Sequence, residues 1–480
     1  MTAERTIISP ATGGDLARQV DTLLAGVDAE PWGQVTASVY ETARLAALAP
    51  WLPGHAQRLR WLRDGQRADG GWGPPGGYAV VPTLSATDAL LAAGGGRAAR
   101  RGLEFLGRLM HGARPIPDTP AADLIVPVLV ERIAERTGTR LPLPSGIDGA
   151  RLAALRRRLA SGAPVPPKLL HALEVLGDAA RRAPGARPAG PGTIGASPAA
   201  TAAWLGERPA APDPYLAAAA RRHGGPVPVA TPITVFERAW VLGGLARAGV
   251  GFTAPPGLVA SLTAGWGPAG TAAGPGLPAD ADTTAVVLFT LAELGHDADP
   301  GVLQHYDTGE FFCTWPGEDG FSVTTNAHVL DAFGIFGHRE IAERITQWLC
   351  LRQESDGCWR DRWHASPYYA TACCVLALSR FGRGPAVSAA VGRAARWVAA
   401  TQRPDGSWGR WQGTAEETAY AVQVLLAAGA GTDLDRAGRY LAGPHPPDLP
   451  MWHDKDLYAP HAIVRGAVLT ARHLLEHRRN

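Results

Sequence analysis

Lysine is almost missing from this chain: Lys168 and Lys455 are the only two in 480 residues, so arginine carries nearly all the positive charge. With 46 Lys and Arg against 44 Asp and Glu, the net charge is +2, which leaves no electrostatic footprint for nucleic acid or an acidic surface. Cysteine is scarce too. Cys313, Cys350, Cys358, Cys373 and Cys374 form neither an even framework nor a C-x-x-C pair, which argues against structural disulfides and against a zinc site. No apolar run approaches the length of a bilayer span, and the opening Met1-Thr-Ala-Glu-Arg-Thr6 has no signal-peptide core. A soluble, cytoplasmic protein with no membrane span and no nucleic-acid partner is expected, its ligand a small molecule if it has one. Strand-type alternation is not convincing anywhere, and no Asp-Asp dipeptide occurs.

What is present fits a large helical protein. A hydrophobic content of 46% with 19% charged residues over this length can bury more than one domain. Ala/Leu runs at helical spacing recur at Leu152–Leu159, Leu169–Leu176, Ala239–Ala248, Ala370–Leu378 and Ala419–Ala427. The expected fold class is all-α, with the 58 Gly and 41 Pro in connections, above all in the long stretch 183–214, where a helix is expected after Pro198.

One pattern repeats. Gln66-Arg-Ala-Asp69-Gly70-Gly71-Trp72 returns as Gln353-Glu-Ser-Asp356-Gly357-Cys358-Trp359 and as Gln402-Arg-Pro-Asp405-Gly406-Ser407-Trp408. Repetition at this spacing indicates stacked helix pairs. The Asp-Gly makes the turn, the Gln amide ties it to the next unit, and the Trp packs between units.

The stretch with chemical potential is Asp280-Ala-Asp282-Thr283-Thr284, between the Gly/Pro-rich run 265–278 and the apolar segment Val286–Leu294. It marks the start of a buried helix. Asp282 or Thr283 would cap that helix, since its first amides need an acceptor. The same two carboxyls also suit a proton donor. They crowd each other and can share a proton, burial favours the protonated acid, and the helix N-terminus stabilises the carboxylate left behind.

With the Gln/Trp repeats and the Asp-x-Asp turn together, the chain resembles the class II terpene cyclases, and more closely the prenyl diphosphate cyclases than squalene-hopene cyclase. Similar segments run along nearly the whole chain, among them Lys168-Leu-Leu-His171-Ala-Leu-Glu174, Phe236-Glu-Arg-Ala-Trp240, Asn326-Ala-His328, Trp363-His-Ala-Ser-Pro-Tyr-Tyr-Ala-Thr371, Glu416-Glu-Thr-Ala-Tyr420 and Trp452-His-Asp-Lys455-Asp-Leu-Tyr458. The resemblance implies two α/α-barrel domains, β at 1–50 plus 231–480 and γ inserted at 51–230, with an apolar cavity between them whose aromatic walls face a carbocation. It implies that Asp282 protonates the terminal alkene, with Asp280 orienting the proton. Thr283 stands where the family usually has a third Asp. That variant resembles the motif of drimane-type cyclases, which implies conversion of farnesyl diphosphate to drimenyl diphosphate; the alternative is geranylgeranyl diphosphate to a copalyl- or labdane-type bicyclic diphosphate.

The remaining candidates follow from the substrate so implied. A diphosphate calls for cations and Mg²⁺: Lys168 and Lys455 lie in family-like segments, and Asp123 stands where the family has a Glu suited to magnesium. Trp363, Tyr368, Tyr369, Phe311 and Phe312 are candidate cavity aromatics. Asn326 and His328, two apart and so on different faces of a helix, are candidates at the substrate site, His328 to orient a water. Without an Asp-Asp-x-x-Asp metal motif to ionise it, the diphosphate should survive, which implies a downstream phosphatase or class I cyclase. Two rivals stand beside this reading: a non-catalytic α/α repeat that binds proteins, and a protein prenyltransferase subunit, which would need the zinc thiolate site that is lacking.

Overall fold

Four apolar segments rich in Ala and Thr each open on an Asp, Ser or Thr. In the computed structural model, which describes residues 14–111, 115–211 and 213–478, these residues cap helices. Asp280 caps Ala281–Glu293, Ser322 caps Val323–Ile335, Ser366 caps Pro367–Phe381 and Thr414 caps Ala415–Ala427. The cap expected at Asp282 or Thr283 thus falls on Asp280, and Asp282 is left with its carboxylate free for another partner.

With Thr234–Arg247 and His461–Arg478 these helices close a ring, each packed on the next and the last on the first. An inner helix of such a ring touches neighbours on every side, so it is apolar all round: in Ala281–Glu293, Ala281 and every residue from Thr283 to Leu291 are buried. Gly14–Ala29, Pro256–Thr263, Arg339–Leu351, Pro385–Ala400 and Asp435–Ala442 lie outside, each against an inner helix.

A second ring is built from Val39–Leu48, Val80–Ala92, Ala122–Thr137, the kinked 3₁₀ segment Pro167–Ala180 and Pro198–Leu205. The helix expected after Pro198 forms there, capped by Ser197. The boundary expected at residue 50 cuts through this ring. Helix Val39–Leu48 packs on Val80–Ala92 and Pro198–Leu205, because its buried face (Tyr40, Ala43, Leu45, Ala46) completes the apolar cores formed by residues of the 52–227 region. By packing, the chain passes between rings before Val39.

The three Gln/Trp repeats have one geometry. Each Gln amide donates to the Gly carbonyl four residues on: Gln66 to Gly70 at 2.9 Å, Gln353 to Gly357 at 2.7 Å and Gln402 to Gly406 at 3.1 Å. Gln66 and Gln353 also reach a neighbouring helix, at the carbonyls of Ala98 and Ala390. Each Trp is fully buried, donates its indole N–H to the carbonyl ten residues earlier, and donates its backbone N–H to a Thr hydroxyl of the following inner helix. The repeat therefore staples outer helix, turn and inner helix together.

The all-α expectation holds. Among the described residues the only sheet is a two-stranded antiparallel hairpin, β1 at Trp452–His453 and β2 at Leu457–Tyr458, which lies where the two rings meet. No helix among them is long and apolar enough to cross a membrane.

Candidate active site

The Gly/Pro-rich run before Asp280 packs against the start of the helix it precedes. Thr284 accepts the Thr271 N–H at 3.0 Å on its hydroxyl, and Gly270 approaches so closely, at φ +87°, that a Cβ there would lie 2.3 Å from the same hydroxyl. Asp280 donates its own N–H to the Thr271 carbonyl, and Ala281 donates to the carbonyl of Thr314. On this brace the Asp280 carboxylate accepts the Thr283 N–H at 2.6 Å. Burial pushes the Asp280 carboxyl up to about 7; the Thr283 N–H opposes that rise and the Asp282 charge adds to it.

Asp282, two residues on, faces the next inner helix. Its Oδ1 lies 2.7 Å from His328 Nδ1, with the two side chains 15% and 11% exposed. Burial alone would lower the His328 pKa, but the Asp282 carboxylate overrides it and holds the imidazole protonated well above its usual range. The Cys373 thiol reaches the same ring. So the partner in contact with Asp282 is a buried imidazolium, whereas Asp280 serves the helix cap. Sequence pointed to His328 only as a residue to orient water or to cap; the pairing depends on which inner helices are neighbours, and local spacing does not contain that.

Aromatic rings surround this pair. The Trp240 ring meets His328 edge-on at 5.4 Å and Phe236 at 4.5 Å, and its N–H donates to the Tyr369 hydroxyl at 2.9 Å. Tyr369 in turn contacts Trp452 at 4.7 Å and Tyr420 at 5.2 Å. Burial pushes Glu416, which accepts the Trp452 indole N–H at 2.8 Å, up to about 8, and pushes nearby His364 down to about 3. Near neutrality both are uncharged. Beyond the Asp282–His328 pair, the cluster offers π faces and uncharged groups, a wall that can face a cation without attacking it.

The other sequence candidates divide. Thr283 is buried with its backbone and side chain on Asp280, so it supports the cap and has no surface with which to read a substrate. Asn326 is fully buried and bridges both backbone groups of Phe312, at 2.9 and 3.0 Å; it shapes the loop whose Thr314 carbonyl holds Ala281. Tyr368 stacks on Trp397 of an outer helix at 4.7 Å. The lumen position belongs instead to Tyr369, one residue and about 100° further round the helix. Phe312 packs on Phe333 and is core, and Phe311 is partly buried against Trp348 at the core's edge. Trp363 is half-buried, with its indole N–H on the Thr314 hydroxyl at 3.3 Å and its ring against Trp315, next to the Asp280 turn.

The two lysines have opposite fates. Lys168 is exposed, donates to the Pro316 carbonyl at 3.0 Å and lies over the Trp315 ring, two residues along the loop from Thr314. Lys455 is 0% exposed, and its ammonium group is shared among Glu41, Glu174, Ser197 and the His171 carbonyl. With every donor engaged, Lys455 is not a diphosphate ligand. Asp123 is paired with Arg151 at 3.1 Å, and Arg151 also reaches Asp319. No three His, Cys, Asp or Glu side chains converge as a metal site among the described residues.

Below His328 the inner ring encloses a cavity of about 110 Å³, bounded by Trp240, Tyr369 and Cys373 above and by the Arg247–Asp331 pair and Gln423 below. That is smaller than the several hundred Å³ of a pocket for a drug-sized ligand.

Residues 318–439 match a family model described as the squalene-hopene cyclase C-terminal domain. The chain is 43% identical to ent-copalyl diphosphate synthase of Streptomyces sp. strain KO-3988, over 92% of this chain and 92% of that protein. It is 45% identical to labda-7,13-dienyl diphosphate synthase of Streptomyces clavuligerus, over 95% of this chain and 92% of that one. Among solved structures, ent-copalyl diphosphate synthase from Streptomyces platensis superposes with a TM-score of 0.88 at 42% identity, over 96% of this chain and 99% of that chain.

Proposed function

The chain belongs to the class II terpene cyclases, and we propose that it converts geranylgeranyl diphosphate to a copalyl- or labdane-type bicyclic diphosphate, with Asp282 delivering the proton that starts cyclisation. The observation that carries this reading is the Asp282–His328 pair at a helix N-terminus, enclosed by Trp240, Tyr369 and the rings around them.

An alkene is a very weak base, so the acid must be strong and must leave a well-stabilised conjugate base. His328 Nδ1 lies 2.7 Å from Oδ1 of Asp282, so the proton for the alkene is carried on the other oxygen, and the imidazolium pairs with the carboxylate that its departure leaves. Once it has left, the carboxylate is held by the same imidazolium and by the positive end of the helix dipole. The distal alkene gains that proton, two ring closures follow as each internal alkene attacks the cation, and loss of a proton from the bicyclic cation ends the reaction. The diphosphate is retained, and the product is suited to a later phosphatase or class I cyclase.

The twenty-carbon substrate replaces the fifteen-carbon one suggested by Thr283. That residue packs on Asp280 and is buried, so the Asp-x-Asp-Thr-Thr variant carries no information about chain length, while the relatives named above are synthases of bicyclic twenty-carbon diphosphates. For the diphosphate end, Lys168 is the lysine free to act, beside Trp315 and the loop that reaches the Asp280 turn. Magnesium would arrive as the complex of the substrate's own diphosphate.

The test is incubation with Mg²⁺ and, separately, geranylgeranyl and farnesyl diphosphate, followed by dephosphorylation and product identification by GC–MS, with Asp282→Ala alongside. A bicyclic alcohol from the longer substrate, abolished in a folded Asp282→Ala variant, is expected. Turnover of farnesyl diphosphate alone would overturn the substrate, and an active Asp282→Ala enzyme would overturn the mechanism.

A further inference from the structure

The β1–β2 hairpin is only two residues deep, yet each residue from Trp452 to Asp456 engages a different partner. Trp452 sits in the aromatic cage, 5.4 Å from Phe236 and 4.7 Å from Tyr369, with its indole N–H on Glu416. His453 takes the Trp363 carbonyl on its N–H at 2.9 Å and reaches the Tyr78 hydroxyl of the second ring at 3.0 Å with its imidazole. The next three residues pair with the second ring, Asp454 partly buried and Lys455 and Asp456 buried. Asp454 pairs with His171 at 2.8 Å, Lys455 with Glu41 and Glu174, and Asp456 accepts from Ser38 at 2.6 Å and from the Tyr40 N–H at 2.9 Å.

This cluster gathers four carboxyl groups around Lys455 and His171. Burial opposes the Lys455 charge, but Glu174 and Glu41 override it and hold the ammonium protonated. Apolar side chains of the same volume would hold the rings together as well or better, since taking ions out of water offsets most of their attraction. What an ion cluster adds is direction. Ser38 and Ser197, which cap Val39–Leu48 and Pro198–Leu205, are themselves hydrogen-bonded to Asp456 and to Lys455 and Glu41, so the hairpin tip is fixed against two helix N-termini. Lys455 stands three residues after Trp452, in the tight bend 454–456 that joins β1 to β2 and is closed by the Asp454 N–H on the Asp456 carbonyl at 3.1 Å.

We propose that the hairpin is a strut between the rings and that Lys455 is a positioning residue for product outcome: by fixing the tip in the second ring, it sets where the Trp452 π face meets the cation. This rests on the cyclase reading above. The attraction between a cation and an aromatic face falls away beyond about 6 Å from the ring centre. A shift of Trp452 therefore exposes the cation at one stage of the cascade, where it loses a proton early or is captured by water, giving monocyclic or hydroxylated diphosphates. Capture by water forms one C–O bond and releases one proton; early loss of a proton forms an alkene. Neither requires another reactant.

The experiment compares Lys455→Met and Trp452→Phe with the wild type on geranylgeranyl diphosphate, scoring both substrate consumed and the ratio of products by GC–MS after dephosphorylation. Lys455→Met should lower the ratio of bicyclic product to side products about fivefold, the size of one lost cation–π contact, while still consuming substrate, and its side products should match those of Trp452→Phe. An unchanged ratio, with consumption scaling only with the folded fraction measured by circular dichroism, would overturn the proposal. Should Lys455→Met fail to fold, Asp454→Asn, which weakens that side chain's contacts with His171 and with the Lys455 N–H, is judged by the same criterion. A wild-type enzyme that cyclises nothing removes the underlying reading instead, so the two failures are distinct.

Discussion

Replacing His328 by Gln tests the proton donor most directly. The amide keeps a hydrogen-bond donor near Asp282 but cannot carry the charge that the structure places 2.7 Å from the carboxylate. If the imidazolium merely orients Asp282, Gln should suffice; if its charge strengthens the acid, Gln should fail. Positioned acid–base groups contribute about 10²–10⁴-fold to rate, so kcat should fall by about that factor, equivalent to about 3–5 kcal/mol of barrier. Stability should fall by less, about 1–3 kcal/mol, because the amide still offers the carboxylate a donor. The pH dependence gives a second readout. His328 is raised above the ordinary imidazole value by Asp282, so the stabilisation from the charged pair is fully present below that ordinary value and is lost as pH rises through the folded-state value. Wild-type kcat should therefore decline on the alkaline side, and His328→Gln should lack that limb. The assay is steady-state turnover of geranylgeranyl diphosphate across pH, with thermal melts to confirm folding. Wild-type kcat in His328→Gln, or an alkaline limb that survives the substitution, would refute the argument.

Two further outcomes follow from buried groups. Asp280→Asn keeps a side chain able to cap but removes a carboxyl that burial raises from 3.8 to about 7. A raised acid stabilises the fold most below its unfolded value, and that contribution is lost as pH rises through about 7. Wild-type stability should thus lose about 3 kcal/mol between about pH 5 and about pH 8 relative to the variant, at about 1.4 kcal/mol per pH unit, measured by urea unfolding at both values; parallel profiles would refute it. Trp359→Phe removes a fully buried indole and its 2.9 Å hydrogen bond to Leu349. It should cost about 1–3 kcal/mol, whereas the same change at Trp266, 37% exposed, should cost little, and equal effects on the unfolding midpoint would show the repeat is not a staple.

How much of this was legible before the structure depends on the range of the interaction. The Gln/Trp repeats were legible because the contacts that define each turn have a fixed local offset: four residues from Gln to Gly, ten from Trp back to its carbonyl. The all-α class followed from helical periodicity in the same way. The cap moved from Asp282 to Asp280 because helix starts are defined only to a residue or two by composition, and here that small difference decides which carboxyl is spent on the backbone and which remains for chemistry. The pairing of Asp282 with His328, 46 residues apart, lies beyond any local rule, since it requires knowing that their helices are neighbours in the ring.

Lys455 was misassigned for a related reason. A chain with two lysines and an anionic substrate invites both to the anion, and sequence shows the charge of a residue but not its surroundings. The structure surrounds Lys455 with Glu41 and Glu174, 414 and 281 residues away, a separation at which only the closed second ring could bring them together. The residues that make Asp282 a plausible acid and Lys455 an implausible ligand are thus of one kind: groups of opposite charge supplied by distant helices. In this fold the inner helices present their N-termini, with Asp280, Ser322, Ser366 and Thr414 as caps, at one end of the ring. Chemistry concentrates at that end because it is where backbone donors, side-chain caps and the second ring converge, and a reading confined to one helix at a time sees only the caps.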